Sequence, residues 1–169
     1  MVSSGLPEIF GVVVIQVGSQ PYALPLASVR HVIAFRRPEL VRPLPLAGRS
    51  IRGVTLDDGT PALVLDLPSL VDDSSTGSTR LDGFDDEDPI ARASLGIVCA
   101  FEEEDIVLAG GHVRAIGRFR SADATASSSG GGSRQAVEWR GQVVPLLSLS
   151  QLIAKAVAAH ETRREHDRR

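Results

Sequence analysis

The residues able to do chemistry in this chain are few and scattered. His31 and His112 fall near comparable points of two similar stretches, and either imidazole could move a proton if a carboxylate or nucleophile stood beside it. The sequence has no G-x-S-x-G or comparable nucleophile motif to supply that partner. Both histidines read as polar residues near strand starts. Cys99, the single cysteine, alternates with Val98 and reads as a small core residue. One cysteine and four dispersed histidines do not give the clustered ligands that zinc needs. The acidic run at 82–88 lacks the alternating ligands and central glycine of a calcium loop, and reads as solvated linker. The arginines between Arg30 and Arg52 could meet phosphates. They are accompanied by prolines and one aromatic ring, Phe35, rather than by a helix or a stacking platform. Gly110-Gly111 is not followed by a phosphate-loop pattern. The expected inventory is therefore no catalytic residue, no metal and no cofactor.

The elements that carry these residues are organised around 51–71, IRGVTLDDGTPALVLDLPSLV. Asp58-Gly59 is a two-residue turn signal, because a type I′ turn needs positive φ at both central positions. After it, Leu63, Leu65 and Leu67 share one strand face and Ala62, Val64 and Asp66 the other. Asp66 stands where it can cap free amides of a short helix that tolerates Pro68 in its first turn.

This stretch recurs. GTPALVLDLPSLV (59–71) aligns with GQVVPLLSLSQLI (141–153), and VVIQVGSQPYALPLASVRHVI (13–33) with IVCAFEEEDIVLAGGHVRAIG (97–117). Four segments in one order describe two copies of a β-rich unit. Strands are expected over 11–17, from Tyr22, over 32–35, through the central hairpin, and over 95–101, 105–109, 112–119, 136–139 and 142–147. A helical turn is expected over 27–31. A final helix through about Ala159 opens with Ser148 and Gln151 as a capping box and buries Leu149, Leu152, Ile153 and Val157.

A chain of 169 residues, 43% hydrophobic, can bury a sizeable core. At 4% aromatic, that core must be Val, Leu, Ile and Ala. A net charge of −3 argues against a dedicated nucleic-acid binder. One cysteine permits no internal disulfide and fits a reducing compartment. The N-terminus does not read as a signal peptide, and no apolar run approaches membrane-spanning length, so a cytoplasmic protein without membrane insertion is expected. Seventeen arginines against one lysine, Lys155, suit protein–protein contacts and equally follow from genome composition.

The expected layout is a lead-in over 1–10 and a single domain over 11–157. That domain comprises a first β unit over about 11–71, an acidic linker over 72–93, and a second unit over about 94–157 with a flexible loop at 121–134. A charged tail follows over 158–169.

The motifs YALPLASVRHVI, IRGV with its glycine turn and VLDL, VRAI, and RGQVVPLLSLSQLI resemble, in order and spacing, the CheW-like domain. This resemblance implies an all-β fold of two packed five-stranded barrels with short helices and a short C-terminal helix. It implies a non-enzymatic adaptor that couples the regulatory domain of a CheA-type histidine kinase to the cytoplasmic tips of chemoreceptors. It also implies protein-interface residues: Val29, Val32, Leu108 and Val113 in a receptor-facing groove, and Gly53 and Gly59 shaping a kinase-facing hairpin. Two positions depart from the family. Asp58 stands where the family's turn has arginine, and His31 where it often has an acid. Two opposite changes are what a partner of altered complementarity requires. The alternatives are a divergent adaptor in a non-chemotaxis two-component pathway, or a small-molecule-binding β-barrel module.

Overall fold

The computed structural model describes residues 9–34, 41–44, 49–71, 95–123 and 135–166. Residues 1–8 of the expected lead-in, the whole of the acidic linker over 72–93, residues 124–134 of the loop and residues 167–169 of the tail lie outside them.

Among the described residues, ten strands and two α-helices follow in order: β1 (Ile9–Val17), β2 (Gln20–Pro25), β3 (Val29–Ala34), β4 (Ile51–Asp57), β5 (Thr60–Asp66), α1 (Leu67–Val71), β6 (Leu95–Phe101), β7 (Glu104–Ala109), β8 (His112–Asp123), β9 (Gln135–Trp139), β10 (Gln142–Pro145) and α2 (Leu149–His166). In place of a helical turn at 27–31 there is a 3-10 turn over Leu26–Ser28. Val29 already has extended dihedrals and starts the next strand.

The strands form two five-stranded sheets, ordered β10-β9-β8-β1-β2 and β3-β6-β7-β5-β4. The first curls round until its ends meet: Ala23 of β2 bridges Leu146, whose neighbour Leu147 donates its N–H to the Ala23 carbonyl at 2.7 Å. In the second, the segment carrying Arg42 exchanges two backbone hydrogen bonds with Val54 on the outer edge of β4, at 2.8 and 2.9 Å. That pairing covers part of an edge that would otherwise expose unpaired amides. Neither sheet is built from one half of the chain. β1 and β2 join β8, β9 and β10, while β3, β4 and β5 join β6 and β7.

Alternation along the strands explains the three cores. On β1, Val13, Ile15 and Val17 face the other sheet, and Val12 and Val14 face the interior of their own. On β6, Ile97 and Cys99 face across and Val98 faces inward. The largest cluster therefore lies between the sheets. It holds Val13, Ile15, Val17 and Leu24 from one, Leu65, Ile97, Cys99, Ile106 and Leu108 from the other, and Leu67, Leu70, Leu149, Leu152 and Ala156 from the helices. Each fully buried aliphatic side chain contributes about 1.5–3 kcal/mol. The seam of α2 runs Leu149, Leu152, Ala156, so Val157, expected on it, is half exposed. Ser148 precedes the helix, but its hydroxyl meets the Ser150 hydroxyl at 2.8 Å and α2 runs past Ala159 to His166.

The Asp58-Gly59 turn is the one the sequence demanded, and the Arg140-Gly141 turn has the same form. Asp58 and Gly59 have φ of 47° and 82°, and Arg140 and Gly141 of 52° and 72°, the signature of type I′. Gly53 is glycine for a different reason. Its φ is 152°, and a Cβ there would stand 2.1 Å from the Arg42 carbonyl oxygen, inside the backbone that crosses β4. Gly59 has nothing within 4 Å of the same point. Gly53→Ala is expected to cost about 3 kcal/mol by overpacking against backbone. Gly59→Ala should cost only the about 1–2 kcal/mol of a left-handed residue. Urea unfolding of the two variants side by side tests the difference.

Candidate docking surface

The sequence candidates sort into three places. Leu108 is not available to a partner, which corrects its place in a receptor-facing groove. It is 1% exposed at the centre of the inter-sheet core, because its β7 position points at Leu65 and Ile97 across the ladder. Gly53 is also internal, buried beneath the Arg42–Pro43 backbone. Its part is to seat the hairpin.

The second place is the β4–β5 hairpin. Leu56 is 69% exposed, and Asp58 and Gly59 form the exposed tip. The root is fixed by Asp66, a buried carboxylate at the end of β5. Its Oδ1 accepts from Arg52 Nη2 at 3.0 Å and Nε at 3.2 Å. Its Oδ2 accepts from the Ser69 N–H at 3.2 Å and from the Ser69 hydroxyl, so Asp66 caps α1 as its position implied. His31 Nε2 lies 3.0 Å from Asp57 Oδ2, tying β3 to the end of β4. The two positions that depart from the family pattern, His31 and Asp58, thus lie in one neighbourhood, with Asp57 between them. Beside this hairpin runs the β6–β7 turn, since β5 and β7 pair in parallel and bring Thr60 close to Glu103 and Glu104. Arg30 Nε stands 3.0 Å from Asp105 Oδ1, an ion pair without hydrogen-bond alignment.

The third place is the margin of the inter-sheet face. Val29 pairs with Cys99 and Val113 with Ile15, so these two flank the shared core from opposite sheets. One step further along, Val32 pairs with Ile97 and Ile116 with Val13. Cross-strand partners share a face, so both continue the apolar surface outward. They are 40% and 62% exposed. Leu26, 41% exposed, lies over Gly11 on a turn that touches both β1 and β6. The surface where the sheets meet therefore opens as an apolar strip of Leu26, Val32 and Ile116. Ile116 and Leu26 were not singled out from the sequence. The signal for Ile116 was present, because the aligned repeats set VRHV over VRAI and so Val32 over Ile116.

Among the described residues there is no group of three or more His, Cys, Asp or Glu able to hold a metal, and no helix long and apolar enough to cross a membrane. Burial pushes the Cys99 thiol up to about 12. A recess beside α2, lined by Tyr22, Leu70, Leu146 and Lys155, has about 220 Å³, less than the about 300–1,000 Å³ of ordinary ligand pockets. A larger one of about 510 Å³ is an open groove over Pro61 and Leu63, walled by Glu103, Glu104 and Arg30. The histidines do not assemble a site: His31 belongs to β3 of one sheet and His112 opens β8 of the other.

An inter-sheet core, two interleaved five-stranded sheets and a C-terminal helix define a small, mostly β fold with exposed apolar side chains at the margin of the inter-sheet face. Residues 10–75 match the family model of the CheW-like domain. The crystal structure of the scaffolding protein TtCheW from Thermoanaerobacter tengcongensis is similar in fold, with a TM-score of 0.63 at 14% identity. The similarity spans 87% of this chain and 92% of that one. No curated protein matches the sequence at a significant level. The match covers the first part of the chain, and the whole described fold is similar to that of a CheW scaffolding protein.

Two measurements check the placement of the buried residues. Leu108→Ala should cost about 3 kcal/mol through the cavity it leaves, read by urea denaturation; an unchanged midpoint would put the side chain on the surface. Cys99 should resist iodoacetamide at pH 8 in the native state and react on unfolding. Stability should also decline as pH rises from 9 toward 12, since the unfolded chain releases the thiol proton first and the folded chain holds it.

Proposed function

We propose that this protein is a non-enzymatic coupling adaptor that joins a CheA-type histidine kinase to chemoreceptors in bacterial chemotaxis signalling. The observation that carries the reading is the apolar strip of Leu26, Val32 and Ile116, which extends the buried inter-sheet face into solvent without a covering element among the described residues. An exposed apolar strip continuous with a core is a docking surface more often than an accident of composition. The CheW-like match and the likeness to a scaffolding protein support the same reading. In this reading the strip, with Val29 and Val113 at its edge, receives the chemoreceptor tip. The β4–β5 hairpin, with Leu56, Asp58 and Gly59 at its end and His31 against its flank, receives the regulatory domain of the kinase. The protein acts in the cytoplasm, where both partners present these parts, and it neither inserts in a membrane nor binds nucleic acid.

One observation favours a variant of this reading. The hairpin tip is acidic on both sides, with Asp57 and Asp58 next to the Glu102–Asp105 turn. A partner domain that meets it must be basic at that point, which suits a CheW-like adaptor for a divergent two-component kinase.

Titration calorimetry against the regulatory domains of CheA-type kinases from the same genome tests the proposal. Saturable binding at or below about 10 μM, altered by Asp58→Arg, is the expected result. Absence of binding to every such domain would remove the kinase from the proposal. Val32→Asp with Ile116→Asp should leave the unfolding midpoint nearly unchanged, because both side chains are already exposed, while weakening a receptor-tip fragment by tenfold or more, about 1.4 kcal/mol.

A further inference from the structure

We infer that Asp58-Gly59, at the tip of the β4–β5 hairpin, is a site of spontaneous backbone modification, in which the peptide bond migrates to the side-chain carboxyl and leaves an isoaspartyl linkage. The chemistry is independent of the adaptor reading, and only its consequence for a docking tip rests on that reading.

The reaction needs a carboxyl group and the next residue's amide nitrogen, both unengaged, with room around the nitrogen. The Gly59 nitrogen attacks Cγ of Asp58. An N–Cγ bond forms, the Cγ–OH bond breaks, and the hydroxyl leaves as water with the amide proton. The product is a five-membered succinimide, which water then opens. Attack at Cγ restores the aspartyl peptide. Attack at the former peptide carbonyl breaks its bond to nitrogen, so the chain runs through Cβ and Cγ and a free α-carboxylate remains. One water leaves and one enters, and the mass is unchanged.

Among the aspartates whose side chains are described, Asp58 alone meets these needs. Asp66 is buried, its oxygens are engaged by Arg52 and Ser69, and Leu67 follows it. Asp57 lies 3.0 Å from His31 Nε2 and is followed by Asp58. Asp105 stands 3.0 Å from Arg30 Nε, and the branched Ile106 crowds the next nitrogen. Asp58 is exposed, and among the described residues no hydrogen bond or ion pair holds its carboxylate. A Cβ on Gly59 would meet nothing within 4 Å, so the space beside its nitrogen is open. The ladder leaves that nitrogen free as well. In a two-residue turn the closing bond joins the flanking residues, here Asp57 and Thr60, which pair in register.

The turn that presents the pair also sets the rate. Ring closure requires rotation about the Asp58 Cα–C bond, so the reaction proceeds through an opened tip. That opening is local. β5 pairs with β7 only from Leu63 onward, and the end of the hairpin beyond it is held by β4–β5 pairing alone. A two-stranded end is marginally stable in water. Leu56, Asp58 and Thr60 are exposed, so opening gives up little buried area. Asp58 also holds a left-handed φ of 47°, which an L-residue disfavours, and opening relieves it.

The product cannot keep the turn. Cβ of Asp58 enters the main chain of a two-residue turn whose φ angles of 47° and 82° close the Asp57–Thr60 pair. The negative charge moves from the side chain to a carboxylate borne on Cα. The hairpin tip therefore changes shape and charge position with no change of residue or mass.

The test is peptide mapping of the full chain and needs no partner, so its result and that of the kinase titration are separable. The chain has no asparagine, so all isoaspartate comes from aspartate. Its two Asp-Gly pairs, Asp58-Gly59 and Asp82-Gly83, fall in separate tryptic peptides, 53–80 and 81–92. After about four weeks of the folded chain at 37 °C and pH 6, electron-transfer fragmentation of peptide 53–80 is expected to place isoaspartate at Asp58, at least about tenfold above Asp57 and Asp66. An isoaspartyl carboxyl methyltransferase supplied with labelled S-adenosylmethionine should methylate the new α-carboxylate in that peptide. Asp58→Glu, which would require a slower six-membered ring, should remove this label from peptide 53–80. The chain unfolded in guanidinium chloride should convert faster at Asp58, because the tip no longer has to open. Isoaspartate no more abundant at Asp58 than at Asp57 and Asp66 would overturn the inference. Conversion at Asp58 in guanidinium chloride but not in the folded chain would overturn it as well, since the native turn would then stay shut.

Discussion

The structure depends on one constraint: neither sheet can bury its outer face except against the other. Val13, Ile15 and Leu24 on one side, and Leu65, Ile97 and Leu108 on the other, form a single cluster that the two helices close at one end. With only 4% aromatic residues the chain has few large rings to fill gaps, so close aliphatic packing between the sheets carries the burden. The surface proposed for the chemoreceptor lies where this shared face runs out. Val29 and Val113 mark its edge, and Val32 and Ile116 lie just past it.

Interleaving of the two halves makes the arrangement cooperative. β1 and β2 depend on strands from the end of the chain, and β6 and β7 complete a sheet begun by β3, β4 and β5. Neither half can assemble a closed sheet alone. The parallel contacts are also matched, Ala23 with Leu146 in one sheet and β5 with β7 in the other. A repeat visible in sequence has been used to build one body with two non-identical surfaces.

The polar interactions serve position more than stability. Asp66 gathers Arg52, the Ser69 amide and the Ser69 hydroxyl at the root of the β4–β5 hairpin, so the tip projects from a fixed base. His31 does the same from the side through Asp57. An exposed pair of this kind contributes little energy, at most about 1 kcal/mol, but it orients the flank of the hairpin.

The sequence by itself determined the local elements. Asp58-Gly59 called for a type I′ turn and received one, since few residue pairs accept two positive φ angles. Alternation assigned Leu65 and Val64 to opposite faces, and Asp66 to a cap. The repeat alignment sets Ile116 at the position equivalent to Val32. What only the tertiary structure decided is which face meets which. Leu108, which the family resemblance set in a groove, is buried because β7 lies between β6 and β5. Gly53 looks like a turn glycine, yet it is required by the crossing of the Arg42 segment. Val157 gave way to Ala156 on α2 because the packing seam follows the neighbouring sheets. Pairing across tens of residues sets these outcomes, and no short window of sequence contains them.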